Sequence, residues 1–101
     1  MKQITIDGAK IHTKQELHET FASMLNFPEW YGKNLDALHD CLTEIHEETV
    51  IHMEDFDDLE RHLPLYARLV VRVVRHACRE NSHLSCTVDR DDIDDDEKEE
   101  D

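Results

Sequence analysis

Residues 28–43 read PEWYGKNLDALHDCLT. The first part of this stretch is a loop carrying two aromatics, Trp30 and Tyr31, and a glycine, Gly32. Asn34 is a good N-cap, and it opens a helix expected over roughly 35–45. On that helix Leu35, Leu38, Leu42 and Ile45 share one face. Asp36, His39, Asp40 and Thr43 share another, because positions i, i+3, i+4 and i+7 stack. The polar stripe consists of short side chains with two carboxylates. Aromatic anchors beside charge are what the centre of a protein–protein interface needs. Gly32 lets a partner backbone approach closely.

Outward from this helix the chain alternates strands and helices. Lys2–Asp7 places Ile4 and Ile6 on one side and reads as a strand, and Asp7-Gly8 is a turn signal. Thr13 and Glu16 form a capping box that opens a helix with Leu17, Phe21, Met24 and Leu25 at helical spacing, ending before Pro28. Thr49–Met53 is a β-branched strand. Asp55 is the expected cap of a short helix carrying Phe56, Leu59 and Leu63, which Pro64 breaks. A long helix follows over roughly 65–81. Its expected inner stripe is Tyr66, Leu69, Val70, Val73, Val74 and Ala77, with Arg68, Arg72, Arg75 and Arg79 outside. Its valines are mediocre helix formers, so packing must decide it. Leu84–Val88 is the last strand. The order β-α-α-β-α-α-β implies an α/β fold, a three-stranded parallel sheet covered by four helices.

The chain has 101 residues, enough for one domain with one core, and a formal charge of −14. Residues 89–101 hold ten acids against two bases. They read as a disordered, solubilising tail whose deletion leaves the fold nearly intact, so the folded domain is expected over 1–88. That domain is itself acidic, with fifteen acids against nine bases. Such a surface repels nucleic-acid phosphates and anionic membranes and attracts basic proteins. The partner it fits is one whose own cationic cleft handles nucleic acid. Cys41, Cys78 and Cys86 are odd in number and form no CxxC pair, which argues against a disulfide framework or a zinc knuckle. The start, MKQITIDG, has no signal-peptide h-region, so a cytoplasmic protein is expected.

The 28–43 segment resembles the signature of the barstar family of ribonuclease inhibitors, and the elements around it match in order and length over residues 1–88. The resemblance implies a three-stranded parallel sheet with four helices. It also implies one-to-one inhibition of a small, basic, guanyl-preferring ribonuclease by a free monomer, with no cofactor and no catalysis. In the family, the helix and its preceding loop plug the nuclease active site. Asp36 and Asp40 match the family aspartates. Asp40 falls where the dominant acid faces the arginines and histidine that hold the scissile phosphate. Trp30 matches an aromatic that packs on the nuclease, and Gly32, Asn34 and Thr43 match contact or capping positions. With Tyr31, Glu44, His39 and His76 these complete the expected partner-binding set. The sequence departs from the pattern at His39, usually a tryptophan, and at His76, often an acid. It departs also at Glu44, which tends to be small, and Lys33, which tends to be acidic. These positions bear on which nuclease is recognised, and an immunity or regulatory module for another basic toxin or partner is the competing reading.

Other readings of the same residues are weaker. His39, Asp40 and His46 do not place a closed metal-ligand set on one helix face. No nucleophile elbow or phosphate-binding glycine loop supports an enzyme. Cys41 reads as a structural, partly buried thiol, and Cys78 and Cys86 as packing residues. The arginine row reads as surface ion pairs.

Overall fold

A computed structural model of the chain describes residues 1–90. Strands β1 (Lys2–Asp7), β2 (Thr49–Glu54) and β3 (Leu84–Val88) form one parallel sheet in the order β1-β2-β3. Helices α1 (Lys14–Leu25) and α2 (Leu35–Thr43) connect the first two strands. Helices α3 (Phe56–His62) and α4 (Tyr66–Glu80) connect the last two. A single 3-10 turn, Gly8–Lys10, follows β1. The expected α/β architecture is therefore the observed one.

Strand register sorts the sheet into two faces. The rows Ile4–Ile51–Cys86 and Ile6–Met53–Val88 lie on the face under the helices, where Ile4, Ile6, Ile51 and Met53 are buried. The alternate rows, Gln3–Val50–Ser85 and Thr5–His52–Thr87, lie on the other face and remain at least partly exposed. There His52 bridges the strands, its Nδ1 2.9 Å from Thr87 Oγ1 and its Nε2 3.1 Å from Gln3 Oε1. The helices thus cover one face rather than both. This is why strands of a parallel sheet alternate in polarity instead of running continuously apolar.

The local helix signals are realised with two differences. Thr13 Oγ1 accepts the Glu16 N–H at 3.0 Å, as a capping box requires, and the Glu16 carboxylate reaches back to the His12 N–H at 2.7 Å. On α4 the fully buried stripe is Ala67, Val70, Val71, Val74 and Ala77. Tyr66, Leu69 and Val73, expected at its centre, lie partly exposed on its flank. With apolar residues at so many adjacent positions, periodicity alone places the stripe only to within about one residue. Cys41, Cys78 and Cys86 are free thiols. Cys78 and Cys86 pack on the core from α4 and β3, and the Cys78 thiol hydrogen-bonded to Cys86 pulls the latter's acidity toward ionisation.

The second difference is the start of α3. Asp55 occupies its N-cap position but adopts the left-handed conformation (φ 53°) and makes no side-chain cap bond. The capping carboxylate comes from Asp89, just beyond β3: its two oxygens accept the N–H groups of Asp55 at 2.6 Å and Phe56 at 3.1 Å. Arg90 continues the contact, its Nη1 donating to Asp57 at 2.8 Å and Glu60 at 2.7 Å. Glu60 also accepts from Arg68 Nε at 2.6 Å, and these guanidiniums hold its carboxyl below the usual range. Opposite this corner, a β-carbon on Gly8 would overlap the Asp55 carbonyl oxygen and come within 2.8 Å of Leu59 Cβ. Asp89 and Arg90 belong to the segment read as tail, and the rest of that segment, 91–101, lies outside the described residues.

Two stability measurements follow. Ending the chain after Val88 rather than after Arg90 should cost about 1–2 kcal/mol in urea unfolding, the scale of a lost helix cap; equal stabilities would mean that Asp89 contributes no cap. Gly8→Ala should destabilise by roughly 1–3 kcal/mol, the usual cost of overpacking.

Candidate functional site

Helix α2 is held by its apolar face. Leu38 and Leu42 are fully buried, and Leu35 and Ile45 pack at the margin of the core. Both ends are fixed by polar groups. At the start, Asn34 Oδ1 accepts the Ala37 N–H at 2.8 Å. At the end, buried Asn81 donates from Nδ2 to the carbonyls of Leu42 at 3.0 Å and Ile45 at 2.9 Å. The Leu42 carbonyl, in the last turn of α2, also accepts the Ile45 N–H at 3.3 Å, and Ile45 lies just past the helix. Asn81 thus secures the exit of α2 and ties it to the segment after α4.

The loop before α2 is anchored by a side chain that the sequence reading placed among the partner contacts. Tyr31 is only 6% exposed. Its hydroxyl lies 2.6 Å from His18 Nδ1, and His18 Nε2 lies 2.7 Å from the Tyr66 hydroxyl. The buried His18 thus links α1, the loop and α4. Burial lowers its proton affinity below the ordinary 6.5 and pushes the Tyr31 hydroxyl well above its usual range. Phe27 packs on the Tyr31 ring at 4.9 Å, and the Tyr31 N–H donates to the Pro28 carbonyl at 3.0 Å. Lys33 takes the left-handed conformation (φ 55°) and pairs with Glu19 of α1 at 3.4 Å. Gly32 needs no positive φ; a β-carbon there would press within 3.2 Å of the Asn34 side chain that caps α2.

With its inner face locked, α2 presents its polar stripe outward. Asp36 is exposed, and the Asp40 side chain is 79% exposed. Thr43 turns its hydroxyl back to the carbonyls of His39 and Asp40 at 3.1 and 3.0 Å. One flank of the stripe is a recess of about 150 Å³ lined by Trp30, Tyr31, Gly32, Asp40, Cys41 and Glu44 among others. Trp30 stands at its rim, 79% exposed. Burial and the charges of Glu44 and Asp40 raise the Cys41 thiol, which keeps it protonated. The other flank is a recess of about 350 Å³ that brings Asp36, His39 and His76 together with Leu35, Arg72 and Val73. The ten residues expected to bind a partner therefore lie on one ridge and its two shoulders, with Tyr31 beneath them as a support.

A group that sequence reading missed lies on the second shoulder. His39 Nε2 is 2.9 Å from a Glu80 oxygen and 3.4 Å from His76 Nδ1, and His76 Nδ1 is 3.7 Å from the other Glu80 oxygen. Glu80 was absent from the expected set. The i, i+4 spacing of His76 and Glu80 on α4 was visible, but their meeting with His39 depends on how α2 packs on α4. His46, considered earlier beside His39, instead faces His83, with ring centroids 6.4 Å apart. Among the described residues no helix is long and apolar enough to cross a membrane.

A solvated carboxylate ridge on a fixed helix, beside an exposed tryptophan, defines a protein-binding domain with an acidic face. Comparison with known proteins specifies which kind. Residues 1–92 match the family model described as "Barstar (barnase inhibitor)". The chain is also similar to "Putative ribonuclease inhibitor YrdF" of Bacillus subtilis (strain 168), at 36% identity over 81 residues, covering 79% of this chain and 89% of that protein. The chain belongs to the barstar family, whose members are inhibitors rather than enzymes.

His18 makes stability pH-dependent. Its folded proton affinity is depressed, so the unfolded chain binds the proton more readily. The contribution of His18 is intact above about pH 6.5, begins to fall below that value, and is lost as pH drops through the lower folded value. Urea unfolding at pH 7.5 and pH 5 should show the parent losing more stability over this interval than His18→Gln; equal losses would remove His18 from the account.

Proposed function

We propose that this chain inhibits a small, basic, guanyl-specific ribonuclease by seating α2 and the 28–34 loop in its active site, one inhibitor per nuclease. The observation that carries this reading is the Asp40 carboxylate, solvated on the outer face of a helix whose inner face is locked in the core. A ribonuclease site holds a phosphodiester with arginine, lysine and histidine. A carboxylate on a rigid helix can take the place of the phosphate and accept several charge-assisted hydrogen bonds from those groups. Asp36 adds a second anion one turn earlier. Trp30 supplies an aromatic surface beside the charge, and Gly32, Asn34, Thr43 and Glu44 complete the ridge around it. His39 and His76 meet the partner from the α4 side. The cell that makes the inhibitor is protected from the nuclease in its own cytoplasm.

The bonded group of His39, His76 and Glu80 supports a second reading. It fills positions where the family pattern has a tryptophan and often an acid, so the contact chemistry on this shoulder differs. A different basic nuclease toxin, or another basic protein, would then be the partner, and the chain an immunity or regulatory module.

Titrating a guanyl-specific ribonuclease with the protein should abolish RNA cleavage at one equivalent. Asp40→Ala should fold normally, since the side chain is exposed, yet bind at least about a hundredfold more weakly, because it leaves the nuclease cations buried without a counter-charge. The charge pairs of this family are themselves a reference case for that effect. Undiminished cleavage at large excess, with a different basic protein captured instead, would favour the second reading. Association should also slow steeply between low and physiological salt, since long-range attraction is screened beyond about 8–10 Å; a flat response would exclude electrostatic steering.

A further inference from the structure

The ring nitrogens of His39 and His76 and the carboxylate of Glu80 converge on one point at the α2–α4 seam, with all the ligand atoms within 4.8 Å of one another. We propose that these three residues form a binding site for a single divalent transition-metal ion of the zinc class. Two imidazoles and one carboxylate are a donor set such ions accept, with the fourth position left to water or another ligand. The spacing suits this use. Ligands about 2.0–2.1 Å from a tetrahedral ion stand roughly 3.3–3.4 Å apart. Here His39 Nε2 is 3.4 Å from His76 Nδ1 and 2.9 Å from one Glu80 oxygen, while His76 Nδ1 is 3.7 Å from the other Glu80 oxygen. The carboxylate therefore has to turn to offer one oxygen to an ion held by both rings. With one atom from each residue the set lies within 4.8 Å, and rotation of the exposed Glu80 side chain closes it to ligand spacing.

The surroundings fit as well. Metal-bound histidines commonly direct their second nitrogen toward a carboxylate, which raises the basicity of the ligand. The second nitrogen of His39, Nδ1, lies 3.9 Å from the Asp40 carboxylate. Asp36 lines the adjoining recess and adds negative charge; Arg72 lines it too and partly offsets that charge. The three ligand residues are all solvent-accessible, with side chains 30%, 47% and 48% exposed for His39, His76 and Glu80, so an ion can enter without opening the fold. His76 and Glu80 sit one turn apart on α4, and His39 reaches them from α2. A bound ion therefore bridges two helices that are 37 residues apart at the two histidines. Hard cations are poorly served, because magnesium and calcium prefer an all-oxygen shell. The site rests on this geometry rather than on the partner's identity, although it shares His39 and His76 with the surface proposed to meet that partner.

The test is calorimetric titration of the full chain with zinc ion at neutral pH, alongside magnesium as a control for the carboxylate-rich residues 91–101. The parent should take up one equivalent of zinc with micromolar or tighter affinity, and zinc should raise its unfolding temperature, because a ligand that binds only the folded state stabilises it. His39→Ala, His76→Ala and Glu80→Gln should each weaken that uptake at least tenfold. The double variant His39→Ala/His76→Ala should lose both the uptake and the thermal shift, and His46→Gln, outside the cluster, should keep both. Magnesium should not reproduce the shift. The proposal is overturned if the parent takes up no stoichiometric zinc, or if the double variant, folded by circular dichroism, binds zinc as tightly as the parent.

Discussion

The burial of Leu38 and Leu42 between α2 and the rest of the core determines what α2 can show to solvent. A helix packs as a rigid cylinder, so two fully buried residues one turn apart fix its rotation. Turning α2 by one residue, about a hundred degrees, would expose those leucines and bring polar side chains inward. Each leucine stabilises the packed state by roughly 1.5–3 kcal/mol, and burying an unpaired carboxylate would add a penalty of several kcal/mol. The exposure of Asp36 and Asp40 is therefore enforced by residues on the opposite side of the helix. Both acids are solvated in the free protein, so in the proposed inhibition their desolvation would be deferred until a cationic surface could offset it.

Apolar packing fixes rotation better than it fixes position along the axis, and the polar contacts supply the rest. Asn81 holds the carbonyl of Leu42 in the last turn of α2 and that of Ile45 just beyond it. At the other end, His18 ties Tyr31 to Tyr66. Both are buried polar groups with directional bonds, and a shift of an ångström or two would break them. No buried side-chain polar atom lacks a hydrogen-bond partner among the described residues. In such surroundings misplacing a buried bond costs more than making it contributes. The loop and helix that face the solvent are thus positioned by groups that do not.

What the sequence shows and what it hides follow from contact range. The Thr13 and Asn34 caps act over three residues, so they are legible from local spacing, as are the strand alternation and the break at Pro64. The face of α2 is legible too, because its apolar positions are sparse enough to define one stripe. The face of α4 is less so, since Val70, Val71, Val73 and Val74 offer two neighbouring stripes, and only packing selects the one with Ala67 and Val71. Asp55 is a reasonable cap by type, but the chain enters α3 through a left-handed residue and Asp89, 34 positions later, takes over the cap. Tyr31 reads as a partly buried loop aromatic and Trp30 as the more exposed one, but the partners that bury Tyr31, His18 and Tyr66, stand 13 and 35 residues away. Each of these outcomes depends on a long-range contact that no local pattern encodes.

The same distinction separates the two shoulders of α2. Asp40, Trp30, Gly32 and Glu44 meet on the loop side, where the departures from the pattern that the sequence resembles are Lys33 and Glu44. His39, His76 and Glu80 meet on the α4 side, where the pattern is broken at both histidines. The shoulders share the backbone of α2, and Asp40, which lines the loop-side recess, lies 3.9 Å from His39 of the other. Side chains on the α4 shoulder can therefore change without moving the anion that a cationic cleft would take in place of a phosphate. Electrostatic mimicry of an RNA backbone needs one well-placed carboxylate on a rigid support. In this reading the choice among cationic partners, and a response to metal ions, can be set on the other side of the same helix.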